Sequence, residues 1–309
     1  MNNLKKPSPL LLLLAFTAVY FVWGTTYLAI VYALKGFGPF TISALRYSAA
    51  GLILCGWIGF KKLSWPERGE WKVLIISGIL MLSGGSGLVA VGEQYINSGY
   101  AAVIIATEPL FFVLLDRKRW AAYFSSKWII TGLLLGFAGI VLFTHFAPAR
   151  SAAPQSHPVL GTLVTLLSAV FWVLGALYAS RKLPAKSDNL VNSTVQLLAA
   201  GLFSGLLAVG KGEWLTLSPV AVPGIAWAGL AYLVVMGSLV AYLAFTWLIT
   251  VQPPAIVSTH TYVNPVIAIL MGWLLASEKI CFGQVIALVI IMTGVIITQL
   301  NKQKVTGGH

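Results

Sequence analysis

The chain divides into runs of roughly 20 apolar residues, the length a helix needs to cross the hydrocarbon core of a bilayer. The first, 10–33, holds no charged residue. Nine more follow, at 39–60, 71–92, 98–116, 127–145, 159–181, 188–210, 223–248, 254–276 and 281–300. These runs are continuous rather than alternating, so they predict helices and exclude a membrane barrel. Only 9% of the 309 residues are charged and 58% are hydrophobic. A soluble domain of this size could not cover its surface with so few charges. The expected fold is an all-α, multi-pass membrane protein with ten transmembrane helices.

The basic residues predict how these helices are oriented. The net charge of +12 comes from short clusters between the runs, which points to membrane orientation and not to nucleic acid. With the N-terminus in the cytoplasm, fifteen of the twenty Lys and Arg fall in cytoplasmic segments, including Lys61, Lys62, Arg117, Lys118, Arg119, Arg181 and Lys182. Only Lys35, Arg150, Lys211 and Lys279 fall outside, and Arg46 lies within a span. That asymmetry predicts that both termini are cytoplasmic. Trp65, Trp71, Trp120, Trp128 and Trp214 mark span ends, where indoles favour the interface. Lys5 and Lys6 precede a run too long for a signal-peptide core, so the first run reads as an uncleaved span. Cys55 and Cys281 read as packing residues. There is no metal-ligand spacing and no phosphate-binding loop, and no cofactor is expected.

One longer loop, rich in Ala, Pro and Ser, joins the fifth run to the sixth. The expected organisation is a five-helix unit over 1–146, an outer linker over 147–158, a second five-helix unit over 159–300 and a cytoplasmic tail over 301–309. The two units share an ordered set of matches. Arg46-Tyr-Ser-Ala-Ala-Gly51 aligns with Gln196-Leu-Leu-Ala-Ala-Gly201, Gly24 and Tyr27 with Gly175 and Tyr178, and Gly84 with Gly237. Glu108-Pro109 aligns with Asn264-Pro265, and Gly139-Ile-Val with Gly294-Val-Ile. The offsets stay between 150 and 156 residues. Five spans is an odd number, so the second unit enters the membrane inverted. An inverted repeat around a central cavity predicts transport by alternating access.

The candidate site follows from the fourth and ninth runs. Glu108 lies well inside its span, roughly 12 Å from the ends at 1.5 Å per residue. An ionisable group at that depth points to function by default. It could bind a substrate ammonium or carry an exchanged proton, and the competing reading is a neutral carboxyl that holds a neighbouring helix. Pro109 and Pro265 remove backbone donors and predict kinks at one level. His260 shares a face with Asn264 at i, i+4 spacing. Trp23, Tyr27, Trp172 and Tyr178 fall in equivalent spans and could stack on an apolar or cationic substrate. Arg46 could snorkel outward, cap a helix end, gate the cavity or meet a substrate carboxylate. Gly84-Gly-Ser86-Gly87 leaves an enzyme reading open, an intramembrane serine protease with Ser86 as nucleophile and His260 as base. A non-transporting assembly subunit is the third reading, although it would not need paired prolines beside a carboxylate.

Trp23-Gly24-Thr-Thr-Tyr27, Arg46, Thr107-Glu108-Pro109-Leu-Phe, Tyr262-Val-Asn-Pro265 and Glu278 together resemble the drug/metabolite transporter superfamily. Within it, the chain is most similar to the EamA family of ten-helix bacterial inner-membrane exporters. The resemblance spans essentially the whole chain. It implies that spans 1–4 and 6–9 surround the cavity, that spans 5 and 10 pack outside it, and that small metabolites such as amino acids or cationic amphiphiles are exported. Protons are a candidate coupling ion. The family's Gly-Glu at the end of the fourth span of each unit is Ser277-Glu278 in the second, while the first has Asp116-Arg-Lys-Arg119.

Overall fold

The computed structural model describes residues 8–146, 157–184, 187–215, 218–252, 257, 260–278 and 281–306. Most of the expected linker, the chain ends, Lys279 and most of the start of the ninth run lie outside the described residues. The helices are α1 (Pro9–Ala33), α2 (Pro39–Lys61), α3 (Arg68–Gly92), α4 (Ser98–Leu115), α5 (Lys127–His145), α6 (Pro158–Lys182), α7 (Asn189–Gly210), α8 (Gly224–Val251), α9 (His260–Ala276) and α10 (Phe282–Thr306). Among the described residues seven helices are long and apolar enough to cross a membrane: α1 to α4 and α6 to α8. An eighth span exists if Arg117–Phe124 is counted with α5, across a bend of 107°. The apolar stretches of α9 and α10, Val263–Ala276 and Phe282–Thr298, are shorter.

Local chemistry sets the helix ends. Pro39 opens α2 and Pro158 opens α6 at positions where a missing N–H costs nothing. Glu67 and Glu70 form a reciprocal capping box at the start of α3. The side chain of Asn97 accepts from the Tyr100 amide (2.8 Å) at the start of α4. Two helix N-termini, those of α2 and α4, are also capped from far along the chain. Glu213 accepts from the amides of Phe40 (3.3 Å) and Thr41 (2.7 Å) and from the Thr41 hydroxyl (2.9 Å). Glu278 accepts from the Ser98 amide (2.9 Å), the Ser98 hydroxyl (2.7 Å) and the Gly99 amide (3.2 Å). Each carboxylate meets the positive end of a helix dipole and ties the second half of the chain to the first. At the opposite end of the bundle Asp116 pairs with Arg181 (2.5 Å) and sits 3.9 Å from Arg119.

The packing is reciprocal. α2 lies along α7, and α5 along α10. α1 packs against α8 and α9, while α6 packs against α3 and α4. α4 also contacts α9. Small residues permit the close approaches. A Cβ on Gly201 of α7 would come within 2.6 Å of the Ser48 backbone nitrogen on α2, and one on Gly51 of α2 within 2.7 Å of the Leu198 side chain on α7. Outward-facing residues such as Leu13, Leu52, Phe60, Leu134, Leu202 and Leu206 are exposed, as a lipid-facing surface requires. Trp65, Trp71, Trp120, Trp128 and Trp214 are exposed near helix ends.

Candidate functional site

Three helices change pitch where they meet the interior. Ala18–Val22 of α1, Ile79–Gly87 of α3 and Leu233–Ala241 of α8 are wound as π-helix. The wider turn leaves backbone groups off the regular ladder, a device common at functional sites. The segments in α3 and α8 coincide with the Gly84 and Gly237 match of the sequence. The fourth span is broken outright: its first part ends at Ile105, Ala106 and Thr107 form a turn, and helix resumes at Glu108 with Pro109 in its first turn. Thr107 donates its hydroxyl to the Ile104 carbonyl (2.6 Å) and so occupies one acceptor beside the break. α9 carries Pro265 inside continuous helix. The kinks expected at one level therefore take two forms, a break in α4 and an accommodated proline in α9.

These features surround an interior cavity. Its walls come from α1 to α4 and α6 to α9, and among the described residues neither α5 nor α10 contributes to them. Of the residues expected at the site, Trp23, Tyr27, Arg46, Ser86, Glu108, Trp172, His260, Asn264 and Pro265 all line it. Tyr178 and Pro109 are not among the lining residues. Tyr178 follows Trp172 by six residues, which turns its side chain by about 240° at 3.6 residues per turn. Tyr27 follows Trp23 by four and keeps the same face. The repeat match of the two tyrosines thus does not carry over to the cavity.

Arg46 does not snorkel to the surface. It is buried, its Nε donates to the Ser238 hydroxyl (2.8 Å), its Nη1 lies 3.5 Å from the Ser86 hydroxyl, and its guanidinium lies 5.1 Å from the Tyr47 ring centroid. Glu108 is buried as well, and among the described residues neither it nor Arg46 forms a salt bridge. The cavity therefore carries one acidic and one basic side chain that do not neutralise each other. Part of the wall is aromatic. The rings of Trp23 and Trp172 meet edge-on at 6.0 Å, and Phe245 lies 4.9 Å from Trp23. His260 stands edge-on to Trp23 (5.2 Å) and Phe245 (5.6 Å). The Asn264 amide donates to the carbonyls of His260 (3.1 Å) and Tyr20 (3.0 Å), holding α9 against the π-helical part of α1. Ser86 is engaged by Arg46 and His260 by its aromatic neighbours.

Sequence reasoning missed Phe245, Ser238, Tyr242 and Glu93. The first three lie in or beside the irregular stretch of α8, where an unbroken apolar run hides which face is internal. Glu93 follows α3 directly, just beyond the third apolar run, and is only 4% exposed. The signal available was an acid directly after Val91-Gly92 with no basic residue nearby in sequence.

If Pro265 shapes the cavity, Pro265→Ala should slow transport more than it reduces the amount of folded protein in the membrane. Equal losses in both would make the proline purely structural.

The sequence pattern of the EamA-like transporter family matches residues 10–145 and again 159–300. The chain belongs to the EamA-like transporter family. It is 30% identical over 291 residues to the uncharacterized inner membrane transporter YedA of Escherichia coli K12, covering 93% of this chain and 90% of that protein. An uncharacterized transporter of Archaeoglobus fulgidus is 25% identical, over 95% of this chain and 98% of its own length. YvbV of Bacillus subtilis, also an uncharacterized transporter, is 26% identical over 94% and 92%. One solved crystal structure superimposes with a TM-score of 0.62 at 21% identity, covering 96% of this chain and 99% of that one, a likeness of fold. The family points to a membrane transporter and not to an enzyme.

Proposed function

We propose that this EamA-like transporter exports small organic amphiphiles, amino acids or related cationic compounds, by alternating access around the Glu108 cavity. The observation that carries the reading is the lining of the cavity, which holds an acid and a base that are not paired to each other beside an aromatic wall. Glu108 accepts a substrate ammonium, Arg46 meets a carboxylate or another anionic group, and the Trp23–Trp172 wall covers the apolar part.

Two inverted five-helix units would supply the motion. The double family match supports them, as does the reciprocal packing. Arg46 on α2 reaches Ser86 of α3 and Ser238 of α8. Its sequence counterpart Gln196 on α7 reaches the same two helices, donating to Ser77 (2.9 Å) and accepting from the Tyr242 hydroxyl (2.7 Å). Opening towards one side would release the Glu213 and Glu278 caps, and opening towards the other the Asp116–Arg181 pair.

The test is efflux of a panel of amino acids and cationic dyes from cells overexpressing the chain, with Glu108→Gln as control. Accumulation lowered by the wild type and not by the variant supports the reading. No difference for any compound contradicts it. The inverted arrangement is tested by topology: tags at both termini should report the cytoplasm and a probe within 149–155 the outside. A C-terminus on the outside would remove the inverted repeat.

A further inference from the structure

Glu93 has no role in the site described above, and its surroundings are unusual. It is 4% exposed, and among the described residues neither carboxyl oxygen has a hydrogen-bond partner. Buried carboxylates are normally paired or hydrogen-bonded, because an isolated charge in an apolar setting is prohibitively costly. The nearby Glu278 is fully occupied as the cap of α4 and its charge acts unfavourably on Glu93. Tyr27, a cavity-lining residue, is within electrostatic reach of both Glu93 and Glu108. Val89, one turn before Glu93, also lines the cavity.

Among the described residues, the other elements packed here present no cation to Glu93. α6 presents Thr165 and Gly161 to Gly92, and its Thr162 donates to the Tyr100 hydroxyl of α4 (3.1 Å). α2 presents Ser43 to Gly87, and its Arg46 is committed to Ser86 and Ser238, two turns away along α3. His157 lies against Tyr95, with ring centroids 6.4 Å apart.

We propose that Glu93 is a proton-binding site beside the cavity, one turn beyond its lining residue Val89. In the conformation described, it is a neutral carboxyl that needs no partner. When the Glu278 cap opens and water reaches it, the carboxyl can return its proton to that water and take another up. The site thereby links the protonation of one residue to the state of that end of the bundle. This linkage rests on the transporter reading, whereas the proton site itself does not.

The test uses the purified full chain in liposomes and no solute. Infrared spectra at neutral pH should show a protonated-carboxyl band that Glu93→Gln diminishes and Glu278→Gln leaves in place. Thermal unfolding supplies the second readout. The unfolded chain ionises Glu93 at a lower pH than the folded one does, so rising pH should lower the melting temperature of the wild type relative to Glu93→Gln. Glu93→Met, which also needs no partner, should fold and show the same relative trend. Superimposable infrared spectra and parallel melting curves for wild type and Glu93→Gln would overturn the assignment. So would failure of both the Gln and Met variants to fold at mildly acidic pH, because the charge would then be required. Calcium or magnesium raising the melting temperature of the wild type but not of Glu93→Gln would make this a metal site instead.

Discussion

Glu108→Gln is expected to abolish transport while the protein still folds and reaches the membrane. Gln keeps the volume and the hydrogen-bonding capacity of Glu and removes only its charge and its titration. A charge-assisted hydrogen bond to a substrate ammonium contributes about 1.5–3 kcal/mol, so solute transport should fall by roughly tenfold or more. Wild-type transport in proteoliposomes should also vary with pH through an ionisation that the variant lacks, and Glu108→Asp should keep part of the activity with a displaced profile. If Glu108 were a neutral packing group, Gln would be nearly silent and Ala would mainly lower stability. Full activity with an unchanged pH profile in Glu108→Gln would remove the role given to this residue.

A second large effect is expected far from the cavity. α5 and α10 are held together through glycines. A Cβ on Gly294 would lie 2.5 Å from the Gly136 backbone nitrogen and 2.6 Å from the Gly132 carbonyl oxygen. Backbone cannot swing aside as a side-chain end can, so the helices themselves must separate. Gly294→Val should therefore destabilise the protein by about 1–3 kcal/mol, the usual cost of overpacking. Thermal unfolding in detergent measures this. Among the described residues neither helix lines the cavity, so transport per folded molecule should remain close to that of the wild type. A variant that melts normally but fails to transport would place this pair within the working mechanism.

Much of the framework is legible in the sequence because a bilayer leaves few choices. Continuous apolar runs had to become helices, and their ends agree closely with the structure where caps are local, as at Pro39, Pro158 and Asn97. Glu108 could be placed in the interior because no other environment tolerates an acid at that depth. Residues whose position depends on long-range packing were less legible. The Glu213 and Glu278 caps join points far apart in the chain, and no local pattern announces them. The π-helical segments of α3 and α8 alter which faces point inward, which hid Ser238 and Tyr242. Glu93 escapes the sequence reading because the apolar run stops just before it, although neighbouring helices bury it. Tyr178 shows the limit of repeat matching: it stands six residues after Trp172 where Tyr27 stands four after Trp23, so equivalence along the chain does not put it on the same face.

Alternating access itself is tested most directly by the reactivity of a cysteine placed in the cavity wall. Ser168 is buried, lines the cavity and lies on α6. In a background with Cys55 and Cys281 replaced by Ser, Ser168→Cys should react with a membrane-impermeant thiol reagent in both right-side-out and inside-out vesicles. Tethering Asp116→Cys to Arg181→Cys with a short bifunctional reagent before introducing the probe at Ser168 should abolish labelling from that side and preserve it from the other. Labelling from a single side under every condition, with or without the tether, would contradict a cavity that opens in turn to both faces of the membrane.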